Sequence, residues 1–212
     1  MKEIKNLRVD YSGDLINIKK LKNNPIKQFE IWFKKAKKEN IIEPNAMILS
    51  TISKNNLLNS RTVLLKNITD KGFVFFTNYE SRKANDIMHN NNVSVVFLWK
   101  KIERQVIIKG KAIKITKRDS KKYFDSRPEK SKIAAWASKQ SKELHNSNDL
   151  INRFKDFENK FKNKLIPYPN FWGGYIIHPN SIEFWQGRSS RMHDRILYEK
   201  EKNKWNINRL YP

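Results

Sequence analysis

The stretch NNVSVVFLWKKIERQVIIKGKAIKI, at residues 91–115, decides the fold predicted for this chain. It contains two runs rich in β-branched and aromatic residues, at 93–99 and 104–115, with a short polar segment between them. Runs of this kind are typical of neighbouring β-strands joined by a turn. A segment as apolar as the first run also needs a core to pack against, so the stretch predicts a folded protein built on a β-sheet.

Runs of the same type occur on both sides of this stretch. Short β-branched or aromatic segments, separated by polar turns, lie at residues 46–53, 61–66, 72–77, 171–177, 182–185, 195–199 and 205–210. No strand–helix–strand alternation is sustained, which favours an antiparallel barrel over a parallel α/β fold. We therefore predict a mainly β fold with peripheral α-helices, in a single domain that spans residues 1–212.

Helical patterns surround the predicted strands. Asn24-Pro25 opens a helix that runs to about residue 40, since proline is tolerated in a first helical turn. Further helices are predicted at 81–91, with Ser81 as N-cap, at 116–126 and, after an interruption by Pro128, at 130–137. Ser147 caps a longer helix whose apolar stripe, Leu150, Phe154, Phe157 and Phe161, predicts a surface that faces the core. Residues 1–22 are predicted to form a flexible polar arm.

Composition excludes several classes of protein. The chain has no cysteine, which excludes disulfides, thiolate metal sites and a cysteine nucleophile. Its apolar runs are far shorter than the roughly 20 residues of a membrane helix, and its polar N-terminus has no secretory h-region. The 4 histidines lie far apart, and there is no GxGxxG motif or P-loop. A cytoplasmic enzyme with no metal and no membrane partner is the simplest interpretation.

The formal net charge is +23, which leaves two interpretations open. A basic surface neutralises phosphates, so the charge is compatible with nucleic-acid binding. Alternatively, the excess reflects codon usage, because lysine, asparagine and isoleucine are all abundant and share A/T-rich codons. The lysines are scattered over every segment and do not gather in one stripe, which favours the second interpretation and no specific nucleic-acid partner.

Three clusters of residues suit anionic ligands. Arg61 and Lys66 bracket an apolar strand, and Thr77, Arg82 and Lys83 lie where a strand ends and a helix begins, as in a phosphate cradle. A second cluster, Tyr123, Arg127 and Ser131, has four-residue spacing that places a phenol, a guanidinium and a hydroxyl near one helical face, although Pro128 must bend it. In each case the alternative is that these side chains are simply solvated.

The third cluster follows Trp185. Arg191, His193 and Arg195 occupy alternating positions, and residues two apart in a strand share a face. The pattern therefore predicts that these side chains point together into one site. Gathering that many cations is costly unless an anion compensates them. A solvated edge strand is the alternative.

Taken together, these stretches resemble the pyridoxine/pyridoxamine 5′-phosphate oxidase family over nearly the whole chain. The strongest matches are RTVLLK (61–66), FFTNYESRKA (75–84), ERQV (103–106), YFDSRPEKSKIAAWASKQS (123–141), FWGGY (171–175) and IEFWQGRSSRMHDR (182–195). The resemblance implies a split β-barrel homodimer that binds two molecules of flavin mononucleotide (FMN) at the subunit interface. Small-molecule substrate, FMN and dioxygen are the partners implied.

The resemblance also implies roles for individual residues. The FMN-binding set would be Arg61, Thr62, Val63, Leu64, Leu65, Lys66, Phe76, Thr77, Arg82, Lys83, Gln105, Gln140, Ser141, Trp185 and Arg195, with Gln140 and Ser141 reaching the cofactor from the partner side. The substrate phosphate would be held by Lys66, Tyr123, Arg127 and Ser131. Catalytic Arg191 and His193, with Met192 between them, would lie over the substrate ring, and Arg8 and Tyr11 match a lid segment.

In this family a hydride leaves the substrate's 4′ carbon for the flavin, and dioxygen then reoxidises the flavin and yields hydrogen peroxide. The chain departs from the family pattern at a few positions: Phe76 stands for a usual tyrosine, Ala134 for a usual glycine, and Arg188 and Ser189 make their loop more basic. Two rival interpretations are another FMN-binding split barrel, which need not keep Tyr123 and Arg127, and a basic nucleic-acid-binding barrel.

Overall fold

A computed structural model describes residues 3–202 and 204–212. The strands in this part of the chain are β1 Ala46–Ile52, β2 Leu58–Leu64, β3 Asn67–Thr69, β4 Gly72–Asn78, β5 Asn92–Trp99, β6 Arg104–Lys114, β7 Trp172–Gln186, β8 Asp194–Glu201 and β9 Lys204–Leu210. The α-helices are α1 Pro25–Lys38, α2 Arg82–His89, α3 Lys117–Asp125, α4 Glu129–Ala137 and α5 Ser147–Phe161. None of the helices described is long and apolar enough to cross a membrane.

The strands form one antiparallel sheet that curls into a split barrel. Its hydrogen-bonded order is β2-β1-β5-β6-β7-β4-β3, and β8 and β9 extend it from β7. Strand β7 is the centre of the fold, because it pairs with β6 over its length, with β4 over its first part and with β8 over its second part. The described strands do not close into a full ring. The predicted mainly β fold with peripheral helices is confirmed.

One predicted break in the sheet is wrong. Residues 171–177 and 182–185 were expected to be two strands, but β7 continues through Pro179. Proline cannot donate to a ladder, and the sheet accommodates it with a register shift between Lys109 and Gly110 on β6. A Cβ atom on Gly110 would lie only 2.1 Å from the carbonyl oxygen of His178, so this close approach requires glycine. The short strand β3 was not predicted.

The helix ends agree with the sequence in part. The Thr116 hydroxyl accepts a hydrogen bond from the backbone of Asp119, so it caps α3 as predicted, and Pro128 separates α3 from α4. Ser81 precedes α2, but its hydroxyl donates to a carbonyl and does not cap the helix. The cap of α5 is Asn146 and not Ser147, because the Asn146 side chain accepts from a backbone N–H of the first turn.

Two hydrophobic clusters hold these elements together. The larger cluster lies inside the barrel, where Phe29 of α1 packs against Phe73 and Phe97. The smaller cluster joins α3, α4 and α5 to the start of β7 around the buried residues Phe124, Ile133, Phe161, Ile166 and Trp172. The stripe predicted on α5 faces this cluster only partly: Phe161 is buried, Phe154 and Phe157 are half-buried, and Leu150 is exposed.

The N-terminal arm, predicted for residues 1–22, is described from residue 3 onward, and Met1 and Lys2 lie outside the described residues. The Glu103 carboxylate accepts hydrogen bonds from the backbone N–H groups of Ser12 and Gly13, both at 2.9 Å. Further along, the backbone N–H of Ile16 donates to the buried Asp194 at 2.7 Å. The second half of the arm therefore lies against the barrel.

Candidate functional site

A cavity of about 340 Å³ opens between the barrel wall and the helical cluster. Strands β2 and β4 form one side of it, and α3, α4 and the segment after α4 form the other. Its lining includes many of the residues predicted to bind FMN or substrate, namely Thr62, Val63, Leu64, Lys66, Phe76, Thr77, Tyr123, Arg127 and Gln140. We call it the main cavity.

A buried lysine lies behind two of the residues that line the main cavity, Thr77 and Gln140. The Lys83 ammonium group lies 3.2 Å from the Thr77 hydroxyl and 3.3 Å from both the Ser81 hydroxyl and the Gln140 side-chain oxygen. Burial, reinforced by the nearby charge of Arg61, lowers the pKa of Lys83 to about 8. A cation held in this way by neutral groups is stabilised when an anion binds beside it.

Arg61 lies next to Lys83 and is fixed from behind. One of its terminal nitrogens, Nη1, donates to the Thr51 hydroxyl at 2.6 Å and to the Leu49 carbonyl at 3.2 Å, and the other, Nη2, lies 3.6 Å from Asp86. Burial lowers the pKa of Arg61, Asp86 acts against this shift, and the positive charge of Arg82 adds to it. Arg61, Arg82 and Lys83 form what we call the cationic corner.

A second cation faces the main cavity from the helical side. The Arg127 guanidinium lies 4.6 Å above the Trp172 ring and 5.7 Å from the Phe124 ring. Its Nη1 atom is buried and has no hydrogen-bond partner in the part of the chain that the structure describes. Burial lowers the pKa of Arg127, while Tyr123 acts in the opposite direction. A buried donor on a cation with no partner among the described residues is a candidate site for an anion.

Aromatic rings form the wall beside Arg127. Phe76 stacks on Tyr123 with ring centroids 3.9 Å apart and on Trp172 with centroids 5.3 Å apart. Phe76 and Ala134, where the chain departs from the family pattern, both line the main cavity. Ser131 is half-buried in α4, one turn before the cavity-lining Ala134, and the cavity lining includes Tyr123 and Arg127 but not Ser131.

Gln105, Trp185 and Arg195 form a row across the sheet. Gln105 of β6 is directly opposite Trp185 of β7, which is directly opposite Arg195 of β8. Arg195 also makes two hydrogen bonds with the Glu183 carboxylate, at 2.7 and 3.0 Å, and these raise its pKa. The structure thus brings this part of the predicted FMN set together, although none of these three residues lines the main cavity.

The predicted shared strand face of Arg191, His193 and Arg195 is wrong. The β7–β8 ladder ends at the pair Gln186 and Asp194, so residues 187–193 must reverse the chain direction and cannot be a strand. Arg191 ends the 3-10 turn Ser189–Arg191 with a positive φ of 57° and is exposed. Only Arg195 lies in strand β8. We call residues 187–193 the β7–β8 loop.

His193 is nevertheless held firmly within this loop. Its Nδ1 atom accepts a hydrogen bond from the backbone N–H of Arg188 at 3.1 Å, which leaves Nε2 as the donor of the neutral ring. Its ring lies 4.8 Å from the Trp185 ring and 5.4 Å from the Tyr11 ring. Tyr11 of the N-terminal arm, predicted as a lid residue, therefore contacts both.

The β7–β8 loop belongs to a different cavity from Arg127. Met192 and His193 line a cavity of about 470 Å³ together with the C-terminal residues Arg209, Leu210, Tyr211 and Pro212. The described residues that line this cavity are not those that line the main cavity. Within one chain, the predicted phosphate-binding residues and the predicted ring-binding residues are thus separate.

The remaining predicted residues have varied positions. Arg8, Arg82 and Ser141 are exposed, and Leu65 is buried just after β2. Gln140 was expected to reach the cofactor from the partner side, but it contacts Thr77 and Lys83 of its own chain. Sequence reasoning missed Thr51, Asn59 and Asp86 behind the cationic corner. Of these three residues, only Asp86 had a sequence signal that could have identified it: its helical spacing places it on the buried face of α2 with Lys83 and Ile87.

Comparison with known proteins gives a consistent result. Residues 33–157 match the family profile described as pyridoxamine 5′-phosphate oxidase, and residues 172–212 match the pyridoxine 5′-phosphate oxidase C-terminal dimerisation region. The chain is 49 % identical over 211 residues to a pyridoxine/pyridoxamine 5′-phosphate oxidase of Aliarcobacter butzleri, covering 99 % of this chain and 100 % of the relative. It is 48 % identical over 206 residues to pyridoxine/pyridoxamine 5′-phosphate oxidase 2 of Hydrogenovibrio crunogenus, covering 97 % of each chain.

Solved structures share the fold. PhzG from Burkholderia lata 383, solved with tetrahydrophenazine-1-carboxylic acid, superposes with a TM-score of 0.89 at 27 % identity, covering 95 % of this chain and 100 % of that one. An FMN-binding protein of Nostoc punctiforme related to pyridoxamine 5′-phosphate oxidase has a TM-score of 0.72 at 14 % identity, covering 87 % of this chain and 97 % of that one. The shared fold and the full-length sequence identity together show that the chain belongs to the pyridoxine/pyridoxamine 5′-phosphate oxidase family.

Proposed function

We propose that this chain is an FMN-dependent oxidase that converts pyridoxamine 5′-phosphate and pyridoxine 5′-phosphate into pyridoxal 5′-phosphate, a reaction of vitamin B6 metabolism. The observation that carries the proposal is the Arg127 guanidinium at the main cavity, one nitrogen of which is buried with no partner among the described residues, together with the separate cationic corner that contacts the lining residues Thr77 and Gln140. Two anion sites fit two phosphate groups, one on the substrate and one on FMN. The names of the full-length relatives support the same activity.

The residues present fit FMN. Arg61, Arg82 and Lys83 would hold its phosphate, because they are close together and their charge is balanced only in part by Asp86. Thr77 adds a hydroxyl beside Lys83. Bound FMN supplies a two-electron acceptor for the hydride that leaves the substrate. The row formed by Gln105, Trp185 and Arg195 is the proposed set of contacts to the flavin ring.

The other cavity residues bind and orient the substrate. Arg127, Lys66 and Tyr123 would hold the substrate phosphate, which takes no part in the oxidation and serves as a handle for positioning. Ser131 belongs to the same proposal, as a hydroxyl on the adjacent helix. A substrate phosphate would pair with the Arg127 guanidinium, and the names of the full-length relatives favour the phosphorylated vitamers.

A dimer completes the proposed site. The C-terminal residues 172–212 match the family's dimerisation region, which supports a homodimer. We place FMN at the interface, where the β7–β8 loop of one subunit would meet the main cavity of the other. Arg191 would then favour the negative charge that develops at the 4′ carbon, and the Nε2–H of His193 would donate to the substrate. Arg8, Tyr11 and Met192 would cover the same face.

Dioxygen as the final acceptor and a cytoplasmic location are parts of the same proposal. Hydrogen peroxide is the second product expected from dioxygen, and its detection tests that part of the proposal.

Turnover of the purified protein tests the proposal. We expect pyridoxamine 5′-phosphate in air to give pyridoxal 5′-phosphate, ammonia and hydrogen peroxide in equal amounts, and unphosphorylated pyridoxamine to react far more slowly. Absence of turnover by flavin-loaded protein would refute the assignment. A colourless protein that cannot be loaded with FMN but binds DNA or RNA in a salt-sensitive way would favour the nucleic-acid interpretation of the +23 charge.

A further inference from the structure

A buried carboxylate lies behind the cationic corner, and the proposed function assigns it no role. Asp86 lies in α2, one helical turn after Arg82 and Lys83, and is only 4 % exposed. Its Oδ2 atom accepts hydrogen bonds from the Thr51 hydroxyl at 2.6 Å and from the Asn59 side-chain amide at 3.2 Å. Burying a carboxylate costs free energy unless donors and cations surround it, and the hydrogen bonds from Thr51 and Asn59 offset that cost here.

The Thr51 hydroxyl links Asp86 to Arg61. A hydroxyl has a single proton, and Thr51 donates it to Asp86, so its lone pairs are free to accept from Arg61 Nη1 at 2.6 Å. Asp86 accepts and does not donate, which fixes the direction of the Thr51 proton. Arg61 is thereby held at both terminal nitrogens, because Nη1 donates to Thr51 and Leu49 and Nη2 lies 3.6 Å from Asp86.

We propose that Asp86 is a positioning residue for the phosphate of FMN, acting through Thr51 and Arg61. The inference rests on the proposed function, in which the cationic corner binds that phosphate. Asp86 also sets the charge of the corner: three cations and one carboxylate leave a net charge close to that needed by a phosphate monoester, which carries about −1.5 to −2 at neutral pH. Asp86 thus fixes both the orientation of the Arg61 guanidinium and the net charge of the cationic corner.

Comparison of FMN with riboflavin, which lacks the phosphate, tests this role. Flavin fluorescence is titrated with full-length protein stripped of its cofactor. For Asp86→Asn we expect the FMN dissociation constant to rise about tenfold, the effect of losing roughly one hydrogen bond to a charged group, and the riboflavin constant to change less than about twofold. Equal losses for both flavins would show a merely structural role, and no loss for either would also overturn the inference.

A second background separates orientation from repulsion. Neutralising Asp86 also removes a negative charge near the phosphate, which by itself favours FMN. In an Arg61→Ala background there is no guanidinium to orient, so Asp86→Asn should leave FMN affinity unchanged or improve it. An equal loss of FMN affinity in both backgrounds would overturn the proposal.

Two further variants complete the experiment. Thr51→Val keeps the side-chain shape and the charge but removes the bridging hydroxyl, so we expect the same FMN-selective loss; it also tests the network if Asp86→Asn does not fold. Asp156→Asn removes the same charge from an exposed position on α5 and should change neither constant. If the wild-type protein itself does not prefer FMN to riboflavin, the inference and the proposed cofactor site both fail. A normal preference that Asp86→Asn and Thr51→Val leave intact refutes the inference alone.

Discussion

Replacing Arg127 by methionine removes the charge that carries the proposed substrate site while keeping most of the side-chain length. A hydrogen bond to a charged group contributes about 1.5–3 kcal/mol, so its loss should weaken binding by about 10- to 150-fold. The substrate phosphate does not react, so this energy is lost equally from the ground state and the transition state. We therefore expect KM for pyridoxamine 5′-phosphate to rise by that factor and kcat to change little.

The structure predicts that the Arg127→Met protein remains folded. It loses the guanidinium contact with the Trp172 ring, but it also loses a buried nitrogen that has no partner among the described residues and a charge whose pKa is lowered by burial. The lost ring contact destabilises the fold and the lost buried charge stabilises it. We therefore expect Tm to change by no more than a few degrees, which corresponds to about 1 kcal/mol of unfolding free energy for a chain of this size.

Steady-state peroxide production in air, measured over a range of substrate concentrations, checks this expectation. Arg118→Met is the matched control, because Arg118 is exposed on α3 and its loss removes the same charge. Unphosphorylated pyridoxamine is a second comparison, since its kcat/KM should be nearly the same for wild type and Arg127→Met. An unchanged KM for the phosphorylated substrate, or a fall in kcat as large as the rise in KM, would show that Arg127 does not hold the phosphate.

The remaining predictions concern the cofactor, the dimer and the loop. We expect the protein to purify as a dimer with about one FMN per chain, checked by light scattering and by identifying the flavin released on denaturation; FAD or an active monomer would contradict this. The pKa of Lys83 is lowered to about 8, below its unfolded value, so without FMN the unfolded state binds more protons between about pH 8 and 10.5. Apo-protein stability should therefore rise with pH in that window relative to Lys83→Met, while FMN affinity falls as Lys83 loses its charge. Arg191→Met should retain FMN and lose kcat by about 100-fold or more, as for one transition-state contact; loss of flavin with normal turnover per bound FMN would assign Arg191 to the cofactor.

The parts of the fold that sequence could predict are those set by local physics. Period-two runs and β-branched residues located the main strands, and the Thr116 cap located the start of α3. The continuous strand β7 could not be found in this way, because Pro179 reads locally as a break. What permits it is Gly110 on the neighbouring strand, which allows the His178 carbonyl to approach closely. That compensation depends on the pairing of β6 with β7, and no local pattern shows it.

The site was predicted unevenly for a similar reason. Arg61 and Lys83 could be chosen because a strand end, a helix start and cations coincide in the sequence. Asp86 and Thr51 could not be paired, since they are 35 residues apart and meet only when α2 packs beside β1. The alternating positions of Arg191 and His193 led to the wrong prediction that they lie in a strand. A period-two pattern cannot distinguish a strand from a loop, and the extent of this loop is set by the pairing of Gln186 with Asp194.

The balance of charge separates residues that await a ligand from those that are already satisfied. Arg195 has a Glu183 carboxylate within hydrogen-bond distance, and this partner raises its pKa, so its charge is neutralised within the chain. Burial instead lowers the pKa of Arg61, Lys83 and Arg127, and Arg127 has a buried nitrogen with no partner among the described residues. Folding has made these groups costly to keep charged, and a bound phosphate reverses that cost. Among the residues predicted to bind FMN or substrate, the two places where this occurs are the cationic corner and Arg127. We therefore propose that the two phosphates of the reaction bind there and that Arg195 contacts the uncharged part of the flavin.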